Sequence, residues 1–234
     1  QHRRSRGVPE GDACVKSDLD ALIIGAGFAG LGMAIRLLQA GVTRLAILEQ
    51  ASEIGGTWRD NTYPGCACDI PSHLYSWSFE PNPEWTRMYP TQPEIQAYLL
   101  RAIEHRGLRP LIRLNCQVRD AVWDEAARQW RVATASGETF TAHILVAGMG
   151  GLSRPAYPDI PGATSFAGPA FHSARWDHSL NLAGKRVAVI GTGASAIQFV
   201  PQIAPHVERL TLYQRTPPWI LPKRDPALGP FWRG

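Results

Sequence analysis

Two glycine-rich runs carry the plainest chemical signal in this sequence. Gly25-Ala-Gly27-Phe-Ala-Gly30 follows the apolar stretch 19–24, and Gly191-Thr-Gly193-Ala-Ser195-Ala196 follows 185–190. In such a run the first glycine permits a tight turn and the second lets the backbone approach a pyrophosphate. The third small residue allows helix and strand to pack closely, and the first N–H groups of the helix face the phosphates. The two runs differ in what ends the next strand. Residues 45–48 run into Glu49, whose carboxylate can hold a ribose hydroxyl. Residues 209–213 run into Gln214-Arg215-Thr216, where a guanidinium and a hydroxyl suit a 2′-phosphate. The first run reads as a dinucleotide site and the second as one for NADP rather than NAD.

Between these sites lie two further stretches that could do chemistry. The run from Ile54 to Tyr75 is dense in Gly, Pro and aromatic residues and has neither helical nor strand periodicity. Its Gly55 and Gly56 let the backbone lie close to a ligand, and Trp58 and Tyr63 offer flat faces to a ring system. The second stretch is Phe166-Ala-Gly168-Pro-Ala-Phe-His172-Ser-Ala-Arg-Trp176-Asp177, which joins the two glycine units and so can respond to both. Taken alone, His172 reads as a structural histidine with its polar atoms satisfied. Cys66 and Cys68 lack the four-ligand spacing of a structural zinc, and no metal site is expected.

The elements that must position these residues follow from periodicity. The first run sits between a strand at 19–24 and a helix through Leu31, Ile35 and Leu38 that stops near Gly41. Residues 76–89, rich in aromatics and proline, read as an excursion over the site. Thr91-Gln-Pro-Glu94 has the spacing of a capping box and opens a helix with Ile95, Tyr98, Leu99 and Ala102 on one side. A β-meander is expected over 111–147, with strands at 118–123, 130–133 and 140–146; the tail of the last returns to the parallel sheet and ends in glycines. Residues 152–161 read as an exit linker. After the joining stretch the strand, turn, helix and strand begin again, with the helix over 197–204 bent at Pro201. The fold class expected is α/β, with two Rossmann-like dinucleotide-binding folds of three layers around a parallel sheet and an inserted β-meander. The second fold is expected to be incomplete. The domains are a flexible leader at 1–17, a first nucleotide domain at 18–161, a linker at 162–182, and the start of a second nucleotide domain at 183–234.

Composition narrows the class. The chain has 234 residues, 44% hydrophobic and 19% charged, with a formal net charge of +4. That describes a globular protein without the basic stripe that nucleic acid requires. The basic start Gln1-His-Arg-Arg-Ser-Arg6 leads into no apolar core of a secretory signal, and no apolar run is long enough to span a bilayer. The four cysteines, Cys14, Cys66, Cys68 and Cys116, form no second paired motif and fit reduced thiols and a cytoplasmic location.

With an acid ending the first unit and an arginine in the second, the chain looks like a flavoprotein that takes hydride from NADPH. Phe166, Gly168, His172, Trp176 and Asp177 match F-x-G-x-x-x-H-x-x-x-W-P/D, and Gly55-Gly56-x-Trp58 precedes Tyr63-Pro64-Gly65-x-x-x-Asp69. In these motifs the sequence resembles the type I Baeyer–Villiger monooxygenases, class B flavoproteins, from residue 18 onward. The resemblance implies FAD along Gly25, Gly27, Gly30 and Glu49, with Gly55, Gly56, Thr57, Trp58, Asp69, Tyr75 and Val118 also in its site. It implies NADPH on Gly191, Thr192, Gly193, Ser195, Arg215 and Thr216. The activity implied is conversion of a small organic ketone and O2, through a C4a-peroxyflavin, to an ester or lactone. Asp69 is implied as the carboxylate that pairs with a catalytic arginine beyond this chain, so the 234 residues are expected to be an N-terminal fragment without turnover of their own. His172 and Trp176 are implied to couple the joining stretch to the NADP domain rather than to move protons. Three other readings stand beside it. They are an S- or N-oxygenating flavin monooxygenase, a two-nucleotide reductase using a redox dithiol, and an FAD-binding module without catalysis.

Overall fold

The computed structural model describes residues 15–229. They divide into two compact units. One takes the chain as far as Ile54 and resumes over Arg106–Met149; the other takes Gly55–His105 and the chain from Gly150 onward. Residues 1–14, the greater part of the expected leader, and the last five residues lie outside the described part.

In the first unit β1 (Val15–Ile24) passes through the first glycine run into α1 (Phe28–Gln39), and β2 (Leu45–Leu48) follows. Then come β3 (Ile112–Arg113), β4 (Val118–Asp124), β5 (Gln129–Thr134) and β6 (Thr139–Ala147). They form one six-stranded sheet in the order β3-β2-β1-β6-β5-β4. β1 lies between two parallel neighbours, with Ala21 opposite Leu45 on one side and Ile144 on the other. A strand covered in this way reads as an unbroken apolar run, as 21–24 does. β6 has two roles: it is parallel to β1 on one edge and antiparallel to β5 on the other. The last strand of the meander is therefore also a strand of the nucleotide fold.

Leu22, Leu48, Cys116, Val132, Phe140 and Ala142 form the buried cluster of this sheet. Full burial of a side chain of the size of Leu22 contributes about 1.5–3 kcal/mol. The meander adds a cross-strand pair, Trp123 opposite Trp130, with rings edge to face at 5.6 Å. Two boundaries differ from expectation. β1 begins at Val15 because its backbone pairs with Thr139 and Phe140 ahead of a bulge, so the last residues assigned to the leader belong to the sheet. Residues 112–113 are not part of the meander but pair parallel with the outer edge of β2, and a strand of two residues carries no readable period.

The second unit contains α2 (Thr57–Asp60), α3 (Gln92–His105), β7 (Arg186–Ile190), α4 (Ala194–Ile203) and β8 (Arg209–Tyr213). The run read as irregular thus holds two short helical turns, α2, capped at its start by Gly56, and a 3-10 turn at Ser72–Leu74. The capping box forms with its glutamate as acceptor: Glu94 Oε2 takes the Thr91 N–H at 3.0 Å and the Thr91 hydroxyl at 2.9 Å. Ile95, Tyr98, Leu99, Ala102 and Ile103 are the buried face of α3. The excursion at 76–89 packs on that helix through Trp77 and Trp85, whose rings lie 5.5 and 5.6 Å from that of Tyr98. β7 and β8 pair in parallel around α4, giving a single β-α-β unit, and α4 continues through Pro201. The two Rossmann-like folds are present, and the second comprises this unit alone.

Candidate functional site

The first glycine turn is locked by glycines that touch one another. A Cβ on Gly30 would lie 1.9 Å from the Gly25 carbonyl oxygen, and one on Gly25 would lie 2.5 Å from the carbonyl oxygen of Gly148. Gly148 follows β6, so the turn after β1 and the end of its neighbour strand pack backbone to backbone. The Gly25 N–H donates to Leu48 O at 2.8 Å, and α1 begins with Leu31 N–H on Gly27 O at 3.0 Å. No side chain caps α1 and its first turn carries no acid, which suits a phosphate at that end. Glu49 is 4% exposed. Its Oε2 accepts from the Ala26 N–H and its Oε1 from that of Ala51, each at 2.9 Å. The acid therefore holds the turn itself. Val118, at the start of β4, is half-buried against the core cluster, two residues past the Cys116 N–H that donates to Glu49 O.

The second glycine turn repeats this plan with different side chains. The Gly191 N–H donates to Tyr213 O at 2.9 Å, and Ile197 N–H to Gly193 O at 3.1 Å. The position equivalent to Glu49 is Gln214, whose Nε2 donates to the Thr192 hydroxyl at 3.3 Å where Glu49 holds Ala26. Arg215 and Thr216 follow, both exposed. Among the described residues, no atom beyond the chain neighbours stands within 4 Å of a Cβ built on Gly191 or Gly193, so this turn is open where the first is closed. α4 too has no side-chain cap and no acid in its first turn. From sequence Gln214 is named without a role; strand register, with Leu48 opposite Ile24 and Tyr213 opposite Ile190, shows that it stands where Glu49 does.

The remaining residues expected for the cofactor fall in the second unit. Gly55 has φ +125°, and a Cβ there would run into the Gln96 side chain of α3 at 2.0 Å. Gly56, at φ +54°, starts α2; Thr57 is exposed on it and Trp58 buried. The Trp58 indole N–H donates to the Tyr75 hydroxyl at 2.8 Å, with the rings edge to face, and Gln92 Nε2 donates to its carbonyl. Burial pushes the Tyr75 hydroxyl up to about 12. Asp69 is exposed, makes no ion pair among the described residues, and meets the Cys68 thiol at 4.0 Å.

The joining stretch is built into the second unit. His172 Nδ1 accepts the Ala174 N–H at 3.1 Å, and its ring stands edge to face with Tyr157. Trp176 packs on Phe171 at 5.3 Å and on Phe199 of α4 at 5.2 Å. Asp177 Oδ1 accepts from the Ser179 hydroxyl at 2.6 Å and its N–H at 2.9 Å, bonds that hold its carboxyl below the usual range. Phe166 is exposed, and a Cβ on Gly168 would meet its ring at 2.7 Å. Burial raises both Cys66 and Cys68 thiols. A thiol kept protonated is a poor redox nucleophile, which disfavours dithiol chemistry at this pair.

A dinucleotide-binding β-α-β unit of two kinds in one chain defines a flavin- or nicotinamide-linked oxidoreductase fold. The chain belongs to the pyridine nucleotide-disulphide oxidoreductase family, whose sequence model matches residues 22–229. Its homology is to Baeyer–Villiger monooxygenases. It is 58% identical over 207 residues to one from Pseudomonas aeruginosa, covering 88% of this chain and 39% of that protein. Among solved structures, cyclohexanone monooxygenase from Rhodococcus sp. Phi1 bound to NADP+ superposes with a TM-score of 0.86 at 37% identity, covering 93% of this chain and 42% of that one. OTEMO in complex with FAD and NADP gives 0.86 at 36%, covering 92% and 42%. The chain thus spans about two fifths of the length of the relatives it matches. Among the described residues no helix is long and apolar enough to cross a membrane.

Proposed function

We propose that the protein is an NADPH- and O2-dependent flavin monooxygenase that converts small organic ketones to esters or lactones. The observation that carries this is the unlikeness of two like turns. One is closed by Gly25, Gly30 and Gly148 and held by buried Glu49; the other is open and followed by Gln214, Arg215 and Thr216. That difference fits FAD at the first and NADP at the second, and the homology to Baeyer–Villiger monooxygenases supports ketone oxygenation.

FAD fits along Gly25, Gly27, Gly30 and Glu49, with the uncapped start of α1 facing its pyrophosphate. Gly55, Gly56, Thr57, Trp58, Tyr75 and Val118 complete its site. When bound, the flavin supplies the redox chemistry between NADPH and O2. NADP fits on Gly191, Thr192, Gly193, Ser195, Arg215 and Thr216, with the guanidinium on the 2′-phosphate. Gln214 leaves no carboxylate to repel that phosphate. Asp69, without a cation of its own among the described residues, is the carboxylate placed to receive an arginine. Phe166, Gly168, His172, Trp176 and Asp177 shape the joining stretch, and the backbone N–H that His172 Nδ1 accepts supports a structural part for that ring. The burial-raised thiols of Cys66 and Cys68 support a cytoplasmic location, where thiols stay reduced.

The test is turnover by the full-length protein with NADPH under isotopically labelled O2, offered a cyclic ketone and a sulfide in parallel. The expected product is a lactone carrying one labelled oxygen, the second label leaving in water. Sulfoxide without lactone contradicts the reading in favour of a sulfur-oxygenating enzyme.

A further inference from the structure

The helix that starts at the second glycine turn has one side chain committed elsewhere. Gln198, in the first half of α4, faces back to the run that carries Asp69. Its Oε1 accepts from the Ala67 N–H at 3.1 Å and from the Tyr63 hydroxyl at 3.2 Å, while its Nε2 donates to the Ala67 carbonyl at 2.9 Å. A primary amide offers an acceptor and a donor side by side, so Gln198 pairs with Ala67 much as a neighbouring strand would. No other side chain of similar reach can make both bonds.

Packing closes around this pair. A Cβ on Gly65 would come within 2.8 Å of Gln202 Cγ and 3.1 Å of the Gln198 carbonyl oxygen, so the run lies directly on α4. Phe199 sits between the rings of Tyr63, at 6.0 Å, and Trp176, at 5.2 Å. From another side, Lys223 Nζ donates to the Cys68 carbonyl at 2.9 Å and stands over the Tyr89 ring. Residues 225–228 then lie along 86–89, with Asp225 paired to Arg87 and Met88 N–H bonded to Pro226 O. The peptide before Asp69 is gripped by groups belonging to the second nucleotide unit.

We propose that Gln198 is a positioning residue through which occupation of the second glycine turn sets the placement of Asp69. The proposal rests on the reading of that turn as an NADP site. The start of α4 faces the ligand's phosphates, and one turn later the same rigid element holds Ala67, two residues from Asp69. Because the amide is bound at both ends, a displacement of α4 is carried to the Ala67 peptide rather than absorbed by a rotating side chain.

Amide hydrogen exchange, resolved residue by residue on the full chain with and without saturating NADP+, tests this. NADP+ is expected to protect the amides at 192–195 and to slow exchange at Ala67 at least about fivefold, the low end of ordinary coupling between sites. Gln198→Leu is expected to keep the protection at 192–195 and lose the slowing at Ala67. Gln202→Ala, which trims neighbouring packing but no polar bond to the run, is expected to keep both. A merely structural glutamine would raise exchange at Ala67 equally with and without ligand. Absence of protection at 192–195 removes the NADP reading, and this proposal with it. Protection there with an unmoved Ala67 in the unaltered protein, or with full slowing in Gln198→Leu, overturns the proposal alone.

Discussion

A methyl group added to Gly30 and one added to Gly193 meet opposite surroundings, although both glycines belong to nucleotide turns. At Gly30 the new carbon would sit 1.9 Å from a backbone oxygen that cannot swing away; at Gly193 nothing lies within 4 Å. Gly30→Ala is therefore expected to cost about 3 kcal/mol, the upper part of the overpacking range, read as a fall in chemical or thermal midpoint. Gly193→Ala is expected to change stability by less than about 0.5 kcal/mol, yet to weaken NADP+ binding because its methyl occupies the approach to the phosphates. Glu49 is a second case in which stability and binding are separable. Glu49→Ala strands the N–H groups of Ala26 and Ala51, at a cost of about 1–3 kcal/mol. Glu49→Asp, too short to hold both, is expected to fall between the two. At this scale the sequence was most legible where a residue type has one use. The glycines, Glu49 and Arg215 announce themselves by type and spacing. Gln198 and Lys223 do not, because each is bound to backbone more than a hundred residues away, which any sequence could offer.

At the scale of elements, periodicity found α1, α3, α4 and the seven strands longer than β3, because each is covered on a definite face. It failed where tertiary pairing alone defines the element. The two residues of β3 exist only against β2, and α2 is a single turn imposed by two glycines with positive φ. The capping box at α3 carries more than the sequence suggested, since Glu94 also takes the Thr86 N–H and hydroxyl from the excursion. Glu94→Ala is expected to cost about 1–2 kcal/mol, the upper part of the range for a lost cap, and to expose Trp85, read by its fluorescence. The aromatic elements also set an alkaline limit. Burial pushes the hydroxyls of Tyr63, Tyr75 and Tyr98, all in the second unit, from the ordinary 10.0 up to about 12. A phenol that ionises less readily when folded stabilises the fold only while neutral. That contribution is complete below pH 10 and is lost as pH rises towards 12. Thermal melts of the second unit are expected to hold steady to about pH 9, where the thiols of Cys66 and Cys68, also raised by burial, begin to count, and to fall more steeply above about pH 10, with tyrosinate absorbance rising as the unit unfolds rather than before.

On the scale of the whole molecule, the chain is two units that share one plan, glycine turn to helix to strand, and diverge in the group that closes it. Composition could exclude a nucleic-acid surface but could not choose a cofactor. In the proposed reading that choice lies in single side chains after β2 and β8, and the likeness to a structure in complex with FAD and NADP supports the two cofactors. Division of the chain at Ile54 and Met149 was not legible, because strands that pair in one unit are separated in sequence by a segment belonging to the other. The account stands on unlike ligands at like turns. Calorimetric titration of the FAD-loaded protein with NADP+ and with NAD+, repeated on Arg215→Ala, tests that most directly. One NADP+ is expected per chain, bound at least about tenfold more tightly than NAD+ and with that preference lost in the variant, as removal of a charge-assisted contact to phosphate requires. Equal affinity for the two nucleotides, or a preference that survives Arg215→Ala, would contradict it.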